Sequence, residues 1–131
     1  MEFNVSKCKV IGLHYGKGNI GHRYTMDDQP IEEVNSEKDL GVTFSADLKV
    51  SEHCKEAYSK ANRMLGLTAA FNRTIKYKNP AILTNMYKSV VRPHVEYCSV
   101  VWNPHYNKDK ILLEKVQHRF TRLFPHLRKL P

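Results

Sequence analysis

The sequence predicts an α+β chain, with a short antiparallel hairpin and strand region at the N-terminus and a three-helix bundle after it. Three observations point that way. Before residue 50 the apolar residues come in short β-branched or aromatic runs, punctuated by Gly, Pro and Asp, with no helical periodicity. After residue 50 apolar side chains recur at intervals of three and four. Charge divides in the same place: residues 1–50 hold 6 Lys/Arg and 8 Asp/Glu, a net of −2, whereas residues 51–131 hold 15 and 5, a net of +10. The expected divisions are residues 1–48, 49–127 and a tail at 128–131, a length and a 41% hydrophobic content that suit one domain with a small subdomain attached.

The strands come first. Cys8-Lys9-Val10-Ile11-Gly12-Leu13 is a β-like run that leads into a glycine-rich stretch at 16–21. Tyr24-Thr25-Met26 is followed by the turn cluster Asp27-Asp28-Gln29-Pro30, with Ile31 to Val34 as the second arm of a hairpin. Asp39-Leu40-Gly41-Val42-Thr43-Phe44 reads as one further strand.

The helices follow. Ser51 suits an N-cap, after which Cys54, Ala57, Ala61, Met64, Leu65, Thr68 and Phe71 form an apolar stripe, while Lys55, Lys60, Asn62 and Arg63 fall off it. Arg73 to Lys78 is a basic connector. Asn79-Pro80 opens the second helix, a capping side chain followed by proline at the first helical position. Its buried face is Ile82, Leu83, Met86, Tyr87, Val90 and Val91. Pro93, which has no N–H to give, kinks or ends this helix near Val91. Helical spacing resumes in Val95, Cys98, Val101 and Trp102 and stops at Asn103-Pro104. The third helix spans about Lys108 to Phe124, with Leu112, Val116, Phe120, Leu123 and Phe124 on its apolar side. Lys108, Lys115, Arg119 and Arg122, at intervals of seven, four and three, share another side. Pro125 to Pro131 reads as a frayed end.

The charge asymmetry favours a polyanionic partner, and the basic side of the third helix is where a rigid element could present cations to phosphates. An ordinary solvated face is the plain alternative. No apolar run approaches the roughly 18 residues of a membrane span, so no membrane partner is expected. The start, Met1-Glu2-Phe3-Asn4, lacks a signal-peptide pattern. Cys8, Cys54 and Cys98 are odd in number and far apart, which points to a reducing, intracellular setting, nuclear or cytoplasmic.

Several motifs carry less than they promise. Gly16-Lys17-Gly18-Asn19-Ile20-Gly21 matches G-x-G-x-x-G, with Glu37 near the position of a ribose-binding acid. The residues after it are strand-like, though, and a dinucleotide site needs a helix to begin there. Tyr24-Thr25-Met26-Asp27-Asp28 resembles the metal-binding Tyr-x-Asp-Asp box of polymerases but has one residue too many, so an Asp-rich turn is the simpler reading and no catalytic residue is assigned. His94 and Cys98, four apart, are two ligands at most, and no metal site is expected. Trp102, Tyr87, Tyr97, Phe71, Phe120 and Phe124 are expected in the core, which leaves Tyr77 as the best base-stacking candidate.

Five strings occur in one order: Phe3-Asn4-Val5-Ser6-Lys7-Cys8-Lys9-Val10, Glu37-Lys38-Asp39-Leu40-Gly41-Val42, Lys60-Ala61-Asn62-Arg63-Met64-Leu65-Gly66, Tyr87-Lys88-Ser89-Val90-Val91-Arg92-Pro93-His94-Val95-Glu96-Tyr97-Cys98 and Leu113-Glu114-Lys115-Val116-Gln117. Together they resemble the segment downstream of the catalytic aspartates in jockey-like non-LTR retrotransposon (LINE) reverse transcriptases, from about Phe3 to about Phe124. The resemblance implies a palm edge and primer grip over the strands and a thumb over the helices, holding an RNA/DNA template–primer duplex by its backbone. It implies that Lys7 and Lys9 lie near the primer-side edge and that Lys115, Arg119 and Arg122 are thumb contacts, with Lys108 on the same basic side by periodicity. The parent activity is RNA-directed DNA synthesis with Mg. Fingers, earlier palm strands and the true Tyr-x-Asp-Asp box are not among these residues, so the expected fragment has no cofactor of its own, is inactive alone, and has the missing polymerase portion as a further partner. A co-opted small basic nucleic-acid- or protein-binding module is the alternative.

Overall fold

The computed structural model describes residues 2–13, 21–76, 79–125 and 127. It is α+β, and two compact units divide between Glu52 and His53. None of its helices is long and apolar enough to cross a membrane, among the described residues.

The first unit opens with a 3-10 turn, Val5–Lys7, where Asn4 caps the chain by accepting from the N–H of Ser6 at 3.1 Å and from its hydroxyl at 2.6 Å. Among the described residues six short strands follow: β1 (Lys9–Ile11), β2 (Thr25–Met26), β3 (Gln29–Pro30), β4 (Glu32–Val34), β5 (Ser36–Asp39) and β6 (Val42–Ser45). They form three two-stranded sheets.

Two strand expectations are corrected. The return arm of the first hairpin is β3, not Ile31 to Val34, because Asp27 and Asp28 take positive φ values of 49° and 59° and close a two-residue turn immediately after Met26. Pairing continues to Ile31, whose N–H donates to the Tyr24 carbonyl at 2.9 Å. The chain then leaves the hairpin, and β4 pairs in parallel with β1, Val10 opposite Glu33, where only antiparallel pairing was expected. The single strand expected over 39–44 is instead a second hairpin. Leu40 and Gly41 have φ of 47° and 84°, a primed two-residue turn that sets Asp39 opposite Val42. Of the described residues in this unit, only Val42, Thr43 and Ala46 are deeply buried.

The second unit is helical. α1 (Ser51–Thr74) begins two residues before the division and runs through Arg73 and Thr74, so the basic connector is shorter than expected. It buries Cys54, Ala57, Ala61, Leu65 and Thr68. At 3.6 residues per turn that row continues to Asn72, which leaves Phe71 turned off it and 44% exposed, against the core position expected of it.

The next segment is broken into α2 (Pro80–Met86), a π-helical turn at Tyr87–Val91, and α3 (Arg92–Glu96). Asn79 caps α2 by accepting from the Ala81 N–H at 2.9 Å. The π turn lies just where Pro93 cannot donate, and the Arg92 N–H reaches back five residues to the Tyr87 carbonyl. Beyond α3 the expected continuous spacing fails. Cys98 is left-handed (φ 50°), so a separate short α4 (Ser99–Trp102) starts with a new direction. Tyr97 and Val101 consequently stand 55% and 60% exposed instead of buried, while Trp102 is enclosed and its Nε1 donates to the Tyr97 carbonyl at 2.6 Å.

α5 (Asn107–Thr121) completes the unit. Its Val116 and Phe120, with Phe124 just beyond, join Ala61, Leu65, Leu83 and Val91 in one core. Tyr87 stacks on Phe120 with ring centroids 4.1 Å apart, and Phe124 meets Phe120 edge-on at 5.3 Å.

Candidate nucleic-acid interface

The periodicity of α5 decides which side chains share a side. Asp109, Val116 and Phe120 are buried, so residues about a quarter-turn or more away must face out. Lys108, Lys115 and Arg119 do so and are exposed. Arg122 is the first residue past the helix, yet its φ of −68° and ψ of −11° keep it in helical conformation, so the row continues through it. At 1.5 Å per residue the row is about 21 Å long, enough to follow several phosphates of one strand.

The cations differ in their surroundings. Lys108 sits 5.4 Å above the Tyr106 ring. Lys115 meets no carboxylate among the described residues. Arg119 donates from Nη1 to the Asn62 side-chain oxygen on α1 at 3.3 Å, a neutral partner that restrains the guanidinium without cancelling its charge. Arg122 is exposed.

The strand-side candidates fare unequally. Lys7 is exposed in the 3-10 turn. Lys9 forms an ion pair with Glu32 across the β1–β4 sheet. That hydrogen bond raises the ammonium's pKa above its ordinary value and sets a carboxylate against the charge. Lys9 is therefore a balanced cation, a weaker phosphate contact than Lys7.

The remaining motifs resolve simply. Asp27 and Asp28 are exposed at the tip of the first hairpin. His94 lies on α3, whereas Cys98 lies past the break that ends its helix, so the two do not share a helical face. No group of three or more His, Cys, Asp or Glu is placed to hold a metal among the described residues. Gly16 to Ile20 of the glycine-rich run, and Tyr77, lie outside the described residues. Cys54 is fully enclosed, and burial, aided by nearby Asp109, pushes its thiol up to about 11, which makes it unreactive rather than nucleophilic.

Periodicity alone missed what lies beside α5. Asn62, read from the stripe as merely off the core, is the residue that meets Arg119. A charge signal was present there: residues 57–95 contain no Asp or Glu, while Lys60, Arg63, Arg73, Lys76, Lys78, Lys88 and Arg92 all fall within them.

Compared with models of protein families, with curated proteins and with solved structures, the chain gives no significant match in any of the three.

Proposed function

We propose that this chain grips an RNA–DNA template–primer duplex by its sugar–phosphate backbone, as the palm-edge and thumb segment of a reverse transcriptase of the jockey-like non-LTR retrotransposon kind. The observation that carries this reading is the exposed row Lys108, Lys115, Arg119 and Arg122 along one side of α5 and its C-cap, over a well-packed core. The ordered strings that resemble that family supply the class of polymerase.

Cations along a rigid helix neutralise successive phosphates and release their counterions, which gives affinity without base reading. Polymerisation itself would need carboxylates that hold Mg, and none is assigned within these residues. The chain then contributes grip to a polymerase whose catalytic part lies elsewhere. Free Cys8, Cys54 and Cys98 fit work inside a reducing cell compartment, nuclear or cytoplasmic.

The test is fluorescence anisotropy of a short labelled RNA–DNA hybrid with the purified chain at two salt concentrations. Four phosphate contacts predict a fall in affinity of about 100-fold between 50 and 200 mM salt, whatever the hybrid's sequence. The chain is expected to bind a primed template with Mg and not extend it. Measurable primer extension, or binding indifferent to salt, overturns the proposal.

A further inference from the structure

α1 and α5 pack together: Asn62 meets Arg119 at 3.3 Å, and Ala61 and Leu65 share one core with Val116 and Phe120. The side of α1 that carries Asn62 therefore borders the cation row of α5.

At intervals of seven, four and seven along that side stand Lys55, Asn62, Gly66 and Arg73, all within a narrow arc of the helix. Lys55, Gly66 and Arg73 are exposed. Gly66 is the informative one. It lies deep inside a 24-residue helix, where glycine is a poor choice, and a Cβ added there would meet nothing within 4 Å. Packing within the described chain gives no reason for glycine at this position. The row thus has a cation at each end, an amide tied to Arg119, and bare backbone between them.

We infer that one sugar–phosphate strand of the duplex lies along the seam between α1 and α5 and passes directly over the bare helix backbone at Gly66. This deepens the proposed function and rests on it. Lys115 and Arg119 flank the strand from α5, and Lys55 and Arg73 reach its ends from α1. Asn62 acts as a positioning residue, since it holds the Arg119 guanidinium at the seam. A cation can meet a phosphate only if the strand comes close, and a side chain at position 66 would hold it away. The absence of any acid over residues 57–95 keeps the α1 surface from Asn62 to Arg73 free of charge repulsion toward phosphate, while Glu52 and Glu56 stand near Lys55.

Gly66→Gln separates the possibilities, because it should move stability and binding in opposite directions. Helix propensity raises Tm by about 3 °C. Hybrid affinity falls about 10-fold at 100 mM salt, and the salt slope flattens by about 0.9 for each phosphate contact the displaced strand loses. Gly66→Ala raises Tm slightly more, about 4 °C, because alanine is the stronger helix former, while its small side chain keeps affinity within about 3-fold of wild type. Leu67→Gln, on the neighbouring exposed side of α1, leaves affinity alone.

Wild-type affinity in Gly66→Gln, alongside weakened binding when the α5 cations are removed, overturns the seam and leaves the proposed function standing. A fall in Tm on either substitution also overturns it, because the glycine would then serve packing. No hybrid binding by the wild-type chain sinks both readings together.

Discussion

Residues 1–52 and residues 53–131 organise themselves on different terms. Among the described residues, the first unit is three two-stranded sheets joined by tight turns with left-handed residues at Asp27, Asp28 and Leu40, and it encloses little more than Val42, Thr43 and Ala46. The second encloses a contiguous apolar cluster through Ala61, Leu65, Leu83, Val91, Val116, Phe120 and Phe124, and keeps its cations on the outside. Short sheets hold by backbone pairing and turn geometry, while helices hold by side-chain packing. The lesson is that a helix with a filled core can carry a row of exposed cations, because its fold does not depend on those side chains. In the strand unit, Lys9 is already paired with Glu32.

The comparison breaks first at the core. Trp102→Ala should destabilise the helical unit by about 4 kcal/mol, through a cavity and the lost bond to the Tyr97 carbonyl. Phe44→Ala in the strand unit, at a 40% exposed site, should change stability by less than about 1 kcal/mol. Urea denaturation followed by circular dichroism reads both, and equal effects would erase the contrast.

Charge removal tests where binding resides. Lys115→Ala, Arg119→Ala and Arg122→Ala together should weaken hybrid affinity about 100-fold and flatten the salt slope by about 2.7, at about 0.9 per phosphate contact. Lys7→Ala with Lys9→Ala should flatten it by no more than about 0.9, because Glu32 already balances Lys9. Anisotropy titrations over a salt series measure both slopes.

Alkaline pH should loosen the helical unit selectively. Burial raises the Cys54 thiol from an ordinary value of 9.0 to about 11, so the folded state resists the thiolate that the unfolded chain adopts readily. Stability is full below pH 9 and declines as pH rises toward 11, by on the order of 2 kcal/mol. Tyr87, also raised by burial, adds a decline of the same sign. Tm measured from pH 8 to 11 should fall in the wild type and fall less in Cys54→Ala.

The strand unit should respond instead to its turns. Leu40 is 84% exposed and left-handed, a conformation that costs a leucine and suits asparagine. Leu40→Asn should slow hydrogen exchange across β5 and β6 by an amount equal to about 1 kcal/mol, with the exchange of α5 unaltered. The smallest effect is expected at Asn62→Ala, where release of Arg119 should weaken hybrid binding about 2-fold with Tm unchanged. A loss as large as that of the triple variant would make Asn62 a direct contact.

Local chemistry in the sequence determined the helix signals at Asn79-Pro80 and Pro93 and one row of the candidate interface, while the break at Cys98 was not legible in it. Asn79-Pro80 starts a helix because a side-chain acceptor precedes a residue with preset φ, and Pro93 distorts one because it lacks a donor. The common side shared by Lys108, Lys115, Arg119 and Arg122 follows from 3.6 residues per turn and needs no partner to define it. Tertiary structure decided the rest. That β4 would pair in parallel with β1, that Leu40-Gly41 would turn without the usual Asn-Gly pair, and that Arg119 would meet Asn62 all depend on groups distant in the chain or on strain accepted for the sake of pairing. Periodicity states which residues leave a core, but only packing states which neighbour they then face.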